Sequence, residues 1–152
     1  MFTRTAQTPF GTLCLFADDQ AITRITWAKA AREDASPVLD QAVDELALYC
    51  AGGLSDFAVP VRVDASAFQK DVCAAMQAIP FGETRTYGDI AKALGVTAQA
   101  VGQACGANPI PVVIPCHRVM GANGKLVGFS GAGGVETKVA LLRHEKAGGF
   151  LI

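Results

Sequence analysis

Two adjacent side chains in this sequence, Cys116 and His117, form a pairing able to do nucleophilic chemistry. A thiol attacks as its thiolate, and a neighbouring imidazole can take the proton. They close the stretch Asn108 to Val119, in which Pro109, Pro111 and Pro115 each fix φ and remove a backbone donor. That stretch predicts a rigid, largely extended segment delivering Cys116 and His117 to a defined place. The same adjacency is also compatible with a small buried thiol beside an unrelated histidine.

Glu145 favours the first reading. Val135, Val139 and Leu142 fall at spacings of four and three, predicting the buried face of a C-terminal helix, and Glu145 continues that face. A buried carboxylate needs a partner, and the chain has two histidines, of which His144 points elsewhere on the same helix. The expectation is a Cys116–His117–Glu145 relay, in which the carboxylate orients and charges the imidazole and the imidazole holds the thiolate. The alternative leaves Glu145 as an exposed helix end. The other thiols, Cys14, Cys50, Cys73 and Cys105, form no C-x-x-C pair, and with two histidines a zinc site has little support.

The elements that must position these groups are legible in part. Phe2–Gln7, Thr12–Ala17 and Ala21–Trp27, separated by turn residues, predict a three-stranded meander. Ser36-Pro37 opens a helix that Gly52-Gly53 closes, and Val59–Val63 is a short strand or a linker. Ser66 with Gln69 resembles a capping box, for a helix lined by Phe68, Val72 and Met76 and ended by Pro80-Phe81-Gly82. Thr86 caps a helix broken at Gly95, and Thr97 caps another running to about Gly106, a helix-turn-helix candidate. The second helix is built of small, uncharged residues. It suits either close helix packing or close approach to the floor of a narrow groove.

Composition bounds the rest. At 152 residues, with 51% hydrophobic and 18% charged side chains, the chain is long enough for a sizeable core and is not of disordered type. It has no apolar run of the ~18 residues a membrane helix needs and no signal-like N-terminus, so the expectation is a cytoplasmic protein without a membrane partner. The net charge of −1 speaks against strong non-specific nucleic-acid binding, but it is unevenly spread. Residues 1–63 carry 5 basic and 8 acidic side chains, net −3, and residues 64–152 carry 8 and 6, net +2.

Pro115-Cys116-His117-Arg118-Val119 resembles the active-site signature of the O6-alkylguanine-DNA alkyltransferases. The resemblance runs from about Phe68 to Glu145, through Phe81-Gly82-Glu83, Tyr87, Val101-Gly102, Asn108-Pro109, Gly124, Gly128, Ser130-Gly131 and Lys138. It implies an α+β protein: a small N-terminal α/β, ribonuclease H-like domain with an antiparallel sheet over 1–63, and a mainly helical C-terminal domain with a helix-turn-helix over 64–152. It implies single-turnover, irreversible transfer of an alkyl group from O6-alkylguanine, with O4-alkylthymine as a further candidate substrate, in DNA to Cys116. The nucleotide must first be flipped, because its O6 is buried in the duplex. His117 would act as base through a bridging water, oriented by Glu145, with Asn108 holding the turn before the active-site strand. Tyr87 would press on the phosphate 3′ to the lesion. Val119, Gly128, Phe129, Ser130, Gly131 and Lys138 would form the guanine pocket. Thr97, Gln99, Ala100, Gln103 and Gly106 would meet double-stranded DNA through its minor groove. No metal or cofactor is implied, and the expectation is a monomer.

Two positions depart from the family pattern. Gln99 stands where an arginine usually fills the vacated stacking position, and Phe129 stands where a tyrosine usually offers a hydroxyl. Weaker DNA binding or slower flipping is expected from the first, and a missing donor to the purine from the second. Rival readings are a lesion-binding module without transfer, a Cys–His hydrolase or thiol oxidoreductase, and a helix-turn-helix regulator. Cys105, on the small-residue helix, is the further thiol to watch for inadvertent alkylation.

Overall fold

The computed structural model describes residues 1–125 and 134–147, and the chain falls into two compact units, Met1–Asp64 and Ala65–Ile152. The architecture is α+β. In the first unit, β1 (Phe2–Thr8), β2 (Gly11–Ala17) and β3 (Ile22–Thr26) form an antiparallel meander. Helix α1 (Pro37–Cys50) lies against it and buries Leu39, Leu46 and Tyr49. Ser36 caps α1 by accepting from the Leu39 N–H at 3.1 Å, with Pro37 where no donor is needed. The segment after α1 adds one parallel bridge, Val61 to Ile22, in place of a full strand.

In the second unit, α2 (Ala67–Gln77) is capped by Ser66. The expected capping box is only half formed. Gln69 donates to the Ala104 carbonyl at 2.8 Å, so its side chain joins two helices instead of returning to Ser66. The two-residue strands β4 (Arg85–Thr86) and β5 (Val119–Met120) pair in parallel. Helices α3 (Tyr87–Leu94) and α4 (Ala98–Gly106) form the helix-turn-helix pair. Thr86 and Asp89 make a reciprocal capping box at the start of α3. Gly95, at φ +70°, adopts the left-handed conformation that lets the chain turn into α4. Helix α5 (Val135–His144) completes the described part.

Two expectations are corrected. The stretch 108–118 is not extended. It doubles back at Val112, whose φ of +73° is strained for a β-branched residue, with Ile114 N–H bonded to Ile110 C=O at 2.9 Å. Cys116–Arg118 then form a single 3-10 turn and not a strand. In α5 the buried face is Thr137, Lys138, Leu141 and Leu142, whereas Val135 is exposed. The apolar pattern misled because Lys138 is one of the residues turned inward.

Candidate functional site

The doubled-back stretch is held by Asn108. Its Oδ1 accepts from Ile110 N–H at 3.0 Å and its Nδ2 donates to Ile114 C=O at 2.9 Å, fixing the two chain segments that flank Val112. The same side chain hydrogen-bonds to the Cys116 sulfur, favouring the thiolate. Burial around that sulfur acts more strongly and pushes the thiol above its ordinary pKa. The resting sulfur is therefore a thiol.

His117 follows on the same turn and is fully buried. Glu145, just past the last turn of α5 and 2% exposed, places Oε2 at 2.7 Å from His117 Nε2. The carboxylate has a second partner that the sequence reading missed. Arg118 donates from Nε to Glu145 Oε1 at 2.8 Å and from Nη2 to Oε2 at 3.1 Å. Its Nη1 donates to the Ile79 carbonyl at 2.7 Å, and its guanidinium lies 5.7 Å from the centre of the Phe81 ring. The available signal was an arginine embedded in an otherwise apolar, proline-rich run, which requires a buried acceptor.

This arrangement alters the expected relay. Burial, more than anything else, pushes His117 below its ordinary pKa, and the charges of Arg118 and Lys138 act in the same direction against Glu145. The imidazole rests neutral rather than charged. With an ionised carboxylate at Nε2, that nitrogen carries the hydrogen and Nδ1 carries the lone pair. Nδ1 is buried and has no protein hydrogen-bond partner among the described residues.

On the other side, Lys138 donates from Nζ to the Val119 carbonyl and sits 6.0 Å from the centre of the Tyr87 ring. Burial pushes its pKa down to about 8, opposed by the Cys116 and Cys105 thiols. Tyr87 is half-buried at the first position of α3, and burial pushes its phenol up to about 12. Its hydroxyl is therefore neutral. Cys105 is buried and pushed up to about 12, chiefly by desolvation, so it holds almost no thiolate at neutral pH.

Gln99, Gln103 and Gly106 are exposed on α4, with Thr97 exposed at its cap and Ala100 partly so. Val101, Ala104 and Cys105 are its buried side. The outward stripe carries no charge. Gly128, Phe129, Ser130 and Gly131 lie outside the described residues. Among the described residues, no helix is long and apolar enough to cross a membrane.

Comparison with known proteins bears on what this arrangement serves. Residues 67–147 match the family model described as the 6-O-methylguanine DNA methyltransferase DNA-binding domain, and residues 1–63 match its ribonuclease-like domain. A methylated-DNA–protein-cysteine methyltransferase of Mycolicibacterium paratuberculosis is 41% identical, over 94% of this chain and 91% of its own. A constitutive methylated-DNA–protein-cysteine methyltransferase of Bacillus subtilis is 36% identical over 93% of each chain. The crystal structure of Mycobacterium tuberculosis OGT in complex with DNA matches with a TM-score of 0.87 at 39% identity, covering 96% of this chain and 93% of that one.

Proposed function

The chain belongs to the 6-O-methylguanine DNA methyltransferase family, and on that premise we propose that Cys116 is its alkyl acceptor, with His117 as proton acceptor and Glu145 orienting the ring. The protein binds DNA and repairs it by moving an alkyl group from O6-alkylguanine to a cysteine of its own. The observation that carries the residue assignment is the buried His117–Glu145 contact, which leaves a bare Nδ1 one residue from the thiol.

The step balances as a displacement. The Cys116 proton passes through a bridging water to His117 Nδ1. The sulfur forms a bond to the alkyl carbon while the carbon–O6 bond breaks and its electron pair remains on guanine, which takes up a proton from water as His117 gives the thiol's proton back to water. The thioether has no route back, so each molecule acts once. Asn108 supports the attacking sulfur by hydrogen bonding, and Lys138 by its charge.

Flipping the nucleotide precedes attack and costs a few kcal/mol, less for a poorly paired alkylated base. In this reading Thr97, Gln99, Ala100, Gln103 and Gly106 meet the minor groove and Tyr87 presses on the phosphate, and the small, uncharged side chains exposed on α4 support it. Val119 and Lys138 contribute to the base pocket, with Gly128, Phe129, Ser130 and Gly131 assigned to it from the sequence alone. Residues 64–152 thus act as the DNA-binding, alkyl-acceptor domain and 1–63 as an accessory α/β domain. In this reading the acting species is a monomer.

Incubation with a duplex containing O6-methylguanine, followed by intact-mass measurement, tests this assignment. A gain of one methyl group in the wild type and none in Cys116→Ala is expected. Lesion binding without a mass gain would instead favour a non-transferring module.

A further inference from the structure

Arg118 has so far been described as a neighbour of the relay. Its connections are more pointed than that. The guanidinium takes both oxygens of Glu145, at 2.8 and 3.1 Å, while the second of those oxygens also meets His117 Nε2 at 2.7 Å. Arg118 is 5% exposed and Glu145 2%, so the pair is shielded from solvent, and neither charge is screened as a surface ion would be. A third donation, to the Ile79 carbonyl at 2.7 Å, ties the guanidinium to the chain just beyond α2.

A lone carboxylate beside an imidazole holds a proton on it. Here the carboxylate already has its counter-charge. We propose that Arg118 is a positioning residue: by taking up the charge of Glu145, it lets the carboxylate orient the His117 ring without charging it, keeping Nδ1 free to accept the Cys116 proton. This extends the relay just described and rests on it.

Among the described residues, the charged groups that act on His117 are Glu145, Arg118 and Lys138. Glu145, from α5, favours the charged ring. Arg118 on the same turn and Lys138 from α5 disfavour it, and burial does so most of all. Cys116 precedes the ring in the chain. Lys138 is engaged at the Val119 carbonyl. Arg118 forms a buried ion pair with the Glu145 carboxylate.

The two ends of one ion pair should then move His117 in opposite directions. In Arg118→Met, the uncompensated Glu145 should raise the His117 pKa, by about one unit or more. In Glu145→Gln, the uncompensated Arg118 should lower it or suppress titration altogether. Arg118→Lys keeps the charge and should stay close to wild type. The measurement is a pH series of imidazole signals by NMR on 13C-histidine protein, with His144 as internal reference, beside the pH dependence of Cys116 alkylation by iodoacetamide. The alkylation profile should move toward lower pH in Arg118→Met, because a charged ring stabilises the thiolate.

A merely structural arginine would lower stability and leave these titrations in place. Unchanged titration in Arg118→Met, or a fall in both Arg118→Met and Glu145→Gln, overturns the proposal. Should Arg118→Met fail to fold, Arg118→Lys and Glu145→Gln decide it: a rise or no change in Glu145→Gln, or a shift of about a unit in Arg118→Lys, is incompatible with charge compensation. Methyl uptake by the wild type is measured separately, so failure of the transfer reading is distinguishable from failure of this one.

Discussion

The two units treat buried carboxylates differently. In the first, Glu45 is buried in α1 and accepts from the backbone N–H groups of Ala58 and Val59 at 2.8 and 3.0 Å and from Gln41 Nε2 at 2.8 Å. These three partners are all amides, so the carboxylate fastens the chain that follows α1. In the second, Glu145 is shared between an imidazole and a guanidinium. The first arrangement holds a loop, and the second joins the two side chains of the proposed relay. The ion pairs of the first unit, Arg4–Asp40, Arg32–Asp34 and Arg62 with Asp18 and Asp64, lie at the surface. A buried charge with basic side-chain partners is thus the mark that separates chemistry from scaffolding in this molecule.

The largest test of that contrast is stability. Breaking one side of a buried pair leaves the other charge stranded, typically at a cost of 3–5 kcal/mol, so Arg118→Met should lower the unfolding free energy by about that much. Arg62→Ala, which breaks two exposed pairs, should leave a urea midpoint nearly unchanged. Equal effects from the two variants would erase the distinction.

What the sequence shows and hides follows the same line. The caps at Ser36, Thr86 and Thr97 are legible because their bonds reach only three residues ahead. The stripe on α4 is legible because its small residues sit at helical spacing. Arg118 was missed because its acceptor lies 27 residues away and an arginine is ordinarily read as solvent-facing. The inward face of α5 was misplaced for the same reason: Lys138 is buried against a carbonyl and a ring, and neither is visible in a pattern that counts lysine as polar. The fold-back at Val112 was hidden because prolines suggest extension, while the turn depends on Asn108 bonding to residues on either side of it.

A smaller effect concerns the uncharged outward stripe of α4. Phosphate contacts supply most non-specific affinity and make it salt-dependent. Gln99→Arg should therefore tighten duplex binding several-fold and steepen the slope of log K against log salt by about 1. Fluorescence anisotropy at several salt concentrations reads both. The same substitution at Gln41, in the first unit, should change neither. If Gln99→Arg leaves both affinity and slope unchanged, α4 does not face the duplex through Gln99.

The smallest effect belongs to the surface charges of the first unit, which act at acid pH. Asp18 accepts from the Gln20 and Ala21 N–H groups at 2.8 and 2.9 Å and pairs with Arg62, which lowers its pKa from 3.8 to about 2. Because the folded value is depressed, its contribution is fully present above about pH 4 and is lost as the pH falls through about 2. Asp18→Asn should flatten the dependence of stability on pH across that window, as read from thermal melts between pH 2 and 5. The amide can still accept the two N–H bonds, so the change isolates charge from geometry. A slope that survives Asp18→Asn would assign the acid sensitivity to Glu33 and Asp34 instead, whose pKa values are lowered chiefly by the Thr5 hydroxyl and by the Thr3 N–H respectively. Acid loss at the turn before β3 without loss of alkyl acceptance on return to neutral pH would separate the scaffold's charges from those of the relay.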